Sequence, residues 1–151
     1  MSLFLADEAA TIAFAGKLHA ALPEDTGGWT ILLDGELGAG KSTLARALIQ
    51  AYGHTGAVPS PTYTLVEPYQ LPCGSIYHVD LYRVSAEEEL RYLGWNELDE
   101  GLRLVEWPDR APQLAARADL RITLEYEQDG RLLDIEGVSQ RGKALASKLI
   151  S

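Results

Sequence analysis

Residues Trp29 to Thr43 read WTILLDGELGAGKST. The first six form a short apolar run between Gly28 and Gly35, which predicts a buried strand. The last nine, GELGAGKST, fit G-x-x-x-x-G-K-[ST], the loop pattern that cradles nucleotide phosphates. The glycines let the backbone curl so that its N–H groups face inward on phosphate oxygens. A helix predicted from Lys41 to Tyr52, with Leu44 and Leu48 stacked and Gly53 as its stop, turns its positive end to the same place. Lys41 is expected on the β and γ phosphates, and the Ser42 hydroxyl on Mg²⁺. A strand, a glycine loop and a helix in that order predict an α/β fold built around this segment.

Composition narrows the classes. The chain has 151 residues, 46% hydrophobic and 23% charged, as expected for one globular domain spanning 1–151. No apolar run approaches ~20 residues, so no membrane span is expected. The start, MSLFLADEAATIAF, has no basic region and soon meets Asp7 and Glu8, against a signal peptide. Cys73 is the single cysteine, which leaves no internal disulfide and no cysteine-based metal cluster, and fits a reducing cytoplasm. Thirteen Lys and Arg against 22 Asp and Glu give a net charge of −9. That sign opposes direct binding to a phosphate backbone, which relies on Lys and Arg contacts.

Along the chain, Asp7 reads as the N-cap of a helix reaching about Leu22, with Ile12, Ala15, Leu18 and Leu22 on one face. YTLVEPYQL and GSIYHVDLY, separated by Pro72-Cys73-Gly74, read as a hairpin. SAEEELRYLG carries a Ser85 cap with Glu88 three residues on, a capping box opening a short helix. LRLVEW, Leu102 to Trp107, is a further strand stopped by Pro108. DLRITLEYEQ and RLLDIEG flank Asp129-Gly130, a hairpin turn signal. Ser139 is a cap for a last helix carrying Leu145 and Leu149. The fold class expected is α/β: a P-loop NTPase-like three-layer domain whose mixed parallel and antiparallel sheet is flanked by helices.

A phosphate loop needs a carboxylate near its Mg²⁺, at the end of a neighbouring strand. Asp80, after SIYHV, and Glu106, after LRLV, both qualify; Glu106 would face the ligand crevice if its strand is parallel. VPSPTYTLVEPY, Val58 to Tyr69, occupies the chain position of a segment that senses the γ-phosphate, with Thr62 and Thr64 supplying hydroxyls. His19, His54 and His78 are scattered and read as structural or surface residues. A GTPase is disfavoured, because Asn96-Glu97-Leu98-Asp99 lacks the lysine of N-K-x-D and no glycine follows Asp80. ATP is the nucleotide expected. A small-metabolite kinase stays open, although no arginine-bearing lid is visible, as does a nucleotide-dependent interaction module without turnover.

GELGAGKST, SPTYTLVEPY, YHVDLYR and LVEWP, in that order and at these spacings, resemble the TsaE (YjeE) family over almost the whole chain. Ser42 stands where that family more often has Thr, and both supply a hydroxyl. The resemblance implies a bacterial ATPase that uses ATP and Mg²⁺, turns over slowly alone, and is required for threonylcarbamoyl modification of tRNA adenosine 37. It implies docking on the TsaB–TsaD heterodimer, with tRNA met only indirectly, which suits the acidic balance. By matching positions, Lys41, Asp80 and Glu106 are the catalytic residues, and Ser42, Asp80 and Glu106 surround the metal. Glu36, Leu37, Gly38, Ala39, Gly40, Lys41, Ser42 and Thr43 hold the nucleotide, with Thr11 and Arg131 on its adenosine side.

Overall fold

A computed structural model of the protein describes residues 2–36, 38–59, 61, 65–86, 88–90 and 94–150. Leu37 of the glycine loop, Ser60 and Thr62 to Thr64 of the SPTYT segment, and Arg91 and Leu93 of the predicted capping-box helix lie outside these residues.

Seven strands form one mixed sheet: β1 (Ser2–Leu5), β2 (Thr30–Gly35), β3 (Val66–Leu71), β4 (Gly74–Asp80), β5 (Leu102–Glu106), β6 (Leu120–Glu127) and β7 (Gly130–Gly137). Their spatial order is β1-β7-β6-β2-β5-β4-β3. The centre, β6-β2-β5-β4, is parallel, while β3 and the β7-β1 pair add antiparallel edges. Both predicted hairpins form, β3-β4 and β6-β7. Strand β2 is central because TILL is apolar on both faces, as a parallel strand covered on both sides requires.

Side-chain alternation divides the core in two. Ile31 and Leu33 of β2 join Leu104 of β5, Leu120 and Ile122 of β6, and the buried stripes of helices α1 (Glu8–Ala21), α2 (Lys41–Ala51) and α4 (Gln140–Ile150). Leu32 points to the other face and meets Val79, Val105, Leu114 and Ala118, with α3 (Pro112–Ala116) and the 3₁₀ turn Trp95–Glu100 as cover. The result is the three-layer α/β arrangement, with helices on both faces of a mixed sheet.

Helix α1 starts where expected, the Asp7 carboxylate accepting the Ala10 N–H at 2.9 Å, a cap worth about 1 kcal/mol. Its buried stripe is Thr11, Phe14, Ala15 and Leu18. Ile12, expected on that face, is 53% exposed; it lies one step round the helix from a stripe that Phe14 occupies instead. The Ser85 box also closes differently. The backbone N–H and hydroxyl of Ser85 reach Glu89, both at 3.0 Å, in place of Glu88, and residues 88–90 are a 3₁₀ turn. Ser139 caps α4 as predicted, its Oγ accepting the Gly142 N–H at 3.0 Å. The strand β1 and the helix α3 have no counterpart among the predicted elements.

Candidate functional site

Parallel pairing assembles the site. Because β2, β4 and β5 run together, their carboxyl ends lie side by side, with Leu33 opposite Glu106 and Glu106 opposite Asp80. That edge is where open α/β sheets place their ligands. The chain leaves β2 through Gly35 and enters α2 at Gly40, so the first turn of α2 faces the same carboxylates.

The loop needs glycine at two points in particular. Gly40 caps α2 with φ +110, left-handed backbone that other residues avoid. Gly38 has φ +81, and a Cβ there would meet the Tyr126 hydroxyl at 2.8 Å. The first N–H groups of a helix have no intrahelical partner, so α2 offers donors and a positive pole at Lys41, Ser42 and Thr43.

Lys41, Asp80 and Glu106 are 4%, 4% and 3% exposed, and His78 is 1% exposed. Four ionisable groups are therefore buried together. Lys41 Nζ donates to the Gly35 carbonyl at 2.6 Å and lies 3.7 Å from the centroid of the Trp107 ring. Burial pulls its ammonium below the ordinary lysine value, while Glu106, Asp34 and Asp80 oppose that shift. The Ser42 hydroxyl donates to Glu106 Oε2 at 3.3 Å. The Asp80 carboxylate accepts the Tyr82 N–H at 2.9 Å, and the Leu81 N–H donates to the Glu106 carbonyl at 3.1 Å, tying the two strand ends together.

Trp107 follows Glu106 in left-handed backbone, φ 59 and ψ 53, uncommon for a bulky residue. This turn lets the ring lie against Lys41, and places it 4.9 Å from the Tyr82 ring. Asp34 points to the opposite sheet face from Leu33 and pairs with Arg121, which also reaches Asp109 at 3.1 Å.

Two cavities flank the loop. One, of about 250 Å³, is bordered by Thr11, Gly40, Thr43, Gly130 and Arg131. Thr11 and Arg131, 120 positions apart in sequence, thus share a wall with the loop, and Arg131 Nε donates to the Ala39 carbonyl at 3.1 Å. The other, of about 650 Å³, is lined by Asp34, Glu36, Trp107, Glu125 and Tyr126 among others.

The site residues expected from the sequence thus converge: Lys41, Ser42, Asp80 and Glu106 at the strand ends, Gly38 to Thr43 around the helix start, Thr11 and Arg131 beside it. Glu36 is exposed at the mouth of the larger cavity. His78, read as structural or surface, is buried and lies against the site, its Nε2 2.6 Å from Glu106 Oε2. The signal for it was positional, since residue i−2 of a strand shares a face with Asp80. No cluster of three or more His, Cys, Asp or Glu suited to a metal occurs among the described residues. The donor set at hand is hydroxyl and carboxylate oxygen, which suits a hard cation such as Mg²⁺ sharing its sphere with phosphates. Lys41 and the α2 terminus suit the phosphates themselves. No helix among the described residues is long and apolar enough to cross a membrane.

Comparison with known proteins agrees with this architecture. The family model of the threonylcarbamoyl adenosine biosynthesis protein TsaE matches residues 5–133. The tRNA threonylcarbamoyladenosine biosynthesis protein TsaE of Haemophilus influenzae is 39% identical over 119 residues, 78% of this chain and 75% of the relative. Its namesake in Synechocystis is 38% identical over 122 residues, 78% and 76% of the two chains. Among solved structures, Bacillus subtilis YdiB superposes with a TM-score of 0.74 at 26% identity, covering 99% of this chain and 93% of that one.

Proposed function

The chain belongs to the TsaE family of tRNA threonylcarbamoyladenosine biosynthesis proteins, and from that premise we propose that it is the subunit that binds and hydrolyses Mg²⁺·ATP, acting with the TsaB–TsaD heterodimer in the cytoplasm. The observation that carries the reading is the convergence of Lys41, Ser42, Asp80 and Glu106 on the start of α2 at the carboxyl ends of β2, β4 and β5.

In this reading Lys41 exchanges the Gly35 carbonyl for β and γ phosphate oxygens, and the N–H groups of the loop and of α2 orient the polyphosphate. Ser42, Asp80 and Glu106 are the groups that would hold Mg²⁺. The metal, when bound, neutralises charge building on the phosphoryl oxygens. Asp80 and Glu106 against Lys41 leave the pocket net negative, which disfavours a bare polyphosphate and favours one accompanied by a cation. Thr11 and Arg131 border the adenosine side. The SPTYT segment is expected to respond to the nucleotide and to help bind TsaD. With a net charge of −9, contact with tRNA is left to the partners.

A metabolite kinase would need an acceptor pocket beside the γ-phosphate. The 650 Å³ cavity next to the loop has Glu36 and Glu125 in its lining and no Lys or Arg, which disfavours an anionic acceptor there. The decisive experiment measures phosphate release from ATP with and without TsaB–TsaD, with Lys41→Ala as control. Stimulation by the pair that disappears in Lys41→Ala supports the reading. Phosphate found on an acceptor metabolite, or tight ATP binding without release even with the pair present, overturns it.

A further inference from the structure

We propose that His78 is a positioning residue that sets the Glu106 carboxylate for the divalent cation accompanying the nucleotide; the inference rests on the Mg²⁺·ATP reading above. His78 stands two residues before Asp80 on β4, so both side chains leave the same sheet face, the one that carries Glu106 on β5. Its Nε2 lies 2.6 Å from Glu106 Oε2, with side-chain exposures of 1% and 5%. A carboxylate can only accept, so Nε2 carries the proton and donates it to that bond.

The two oxygens of Glu106 are used differently. Oε2 receives both His78 Nε2 and, at 3.3 Å, the Ser42 hydroxyl. Oε1 receives no hydrogen bond among the described residues, which leaves it for a cation or a water bound to one. Of the two contacts on Oε2, that from His78 is the shorter and comes from the more deeply buried side chain, so His78 is the firmer hold on Glu106.

The other ring nitrogen makes the same point. His78 Nδ1 is buried and has no hydrogen-bond partner among the described residues. A buried polar atom left unpaired opposes folding, so an apolar side chain of similar size would serve packing better. What the imidazole supplies that such a side chain lacks is the N–H directed at Glu106. Outer partners of this kind orient metal-binding groups, and their removal weakens metal affinity by about 10- to 100-fold.

The test compares His78→Gln, His78→Asn and His78→Leu with the wild-type protein by calorimetric titration of ATP in EDTA and in Mg²⁺, after thermal melts establish that each variant is folded. A Gln amide nitrogen reaches close to the position of Nε2, whereas that of Asn reaches only the position of Nδ1. In EDTA all four proteins are expected to bind ATP within about 2-fold of one another. The factor by which Mg²⁺ tightens ATP is expected to fall about 10-fold in His78→Asn and His78→Leu and to be largely retained in His78→Gln. An undiminished Mg²⁺ effect in His78→Asn and His78→Leu overturns the inference and leaves the proposed function standing. So does an equal loss in all three variants that is already present in EDTA, which marks a merely structural residue. Wild-type protein that gains nothing from Mg²⁺ overturns both.

Discussion

The ammonium of Lys41 lies 3.7 Å from the centroid of the Trp107 ring, while its Nζ also donates to the Gly35 carbonyl. The lysine proposed to bind phosphate is thus held by groups of its own chain, one of them an indole. Trp29 and Trp95 are stacked by Arg141 and Arg103 near the opposite ends of β2 and β5. A phosphate that draws Lys41 away therefore alters the surroundings of Trp107 and leaves the other two indoles as they were. Mg²⁺·ATP is expected to change tryptophan emission, and Trp107→Phe to abolish the change while retaining ATP binding. An identical emission change in Trp107→Phe would remove Trp107 as the reporter.

Glu106 and Asp80 are paired in register, and it is Glu106 that accepts the Ser42 hydroxyl. Glu106→Gln and Asp80→Asn are each expected to lower Mg²⁺-dependent hydrolysis by about 10²-fold, the size of effect seen when one stabilising group is removed from a charged transition state. Glu106→Gln is also expected to raise the Mg²⁺ concentration needed for half-maximal rate more than Asp80→Asn does. Magnesium titrations of the steady-state rate compare the two, and the reverse order would assign the closer metal contact to Asp80.

Local sequence carried much of this architecture, and pairing carried the rest. The hairpin flagged by Asp129-Gly130 forms, but its two-residue turn is Gln128-Asp129, with Gln128 at φ 54 and Gly130 paired to Glu127 as the first residue of β7; β2 and α2 flank the glycine loop as read. Strand β1 has four residues, no alternation to mark it, and exists through its pairing with β7. Helix α3 lies in an Ala- and Pro-rich stretch that reads as a connector until Leu114 is seen in the second core. The carboxylates Asp80 and Glu106 were visible as strand ends, but their adjacency depends on β4 and β5 being parallel neighbours. His78 needed that register as well, since its partner is 28 residues away. Arg131 was reached through family resemblance, and its hydrogen bond to Ala39 depends on β7 passing beside the loop.

Arg131 tests the smaller cavity. Its guanidinium stacks on Tyr126 at 4.3 Å and its Nε holds the Ala39 carbonyl. If the 250 Å³ space it borders with Thr11 receives the adenosine, Arg131→Ala should weaken ATP by about 10-fold, near 1.4 kcal/mol. Tripolyphosphate, which has no base or sugar, should bind the variant as it binds the wild type. Equal losses for both ligands in a competition assay would instead assign Arg131 to holding the loop.

Asp119, at the end of the sheet away from the site, couples the stability of the fold to pH. It is buried and accepts the Thr30 N–H at 3.0 Å, the Ser139 hydroxyl at 2.7 Å and Arg141 Nε at 2.8 Å. Burial pushes its carboxyl up, but the bonds from Arg141, Ser139 and Thr30 outweigh that and hold it below the ordinary value. A depressed folded-state pKa means that the unfolded chain binds the proton first as pH falls. Stability from Asp119 is therefore complete above about pH 5 and drains away through the unfolded value near 3.9 and on through the folded one. Asp119→Ala should cost about 2–4 kcal/mol at pH 7, since it strands the Thr30 N–H and removes the partner of Arg141. Urea melts at pH 7 and pH 3 provide the check: the gap between wild type and variant should narrow at pH 3, and a gap independent of pH would mean that the ionised carboxylate is not what joins α4 to the start of β2.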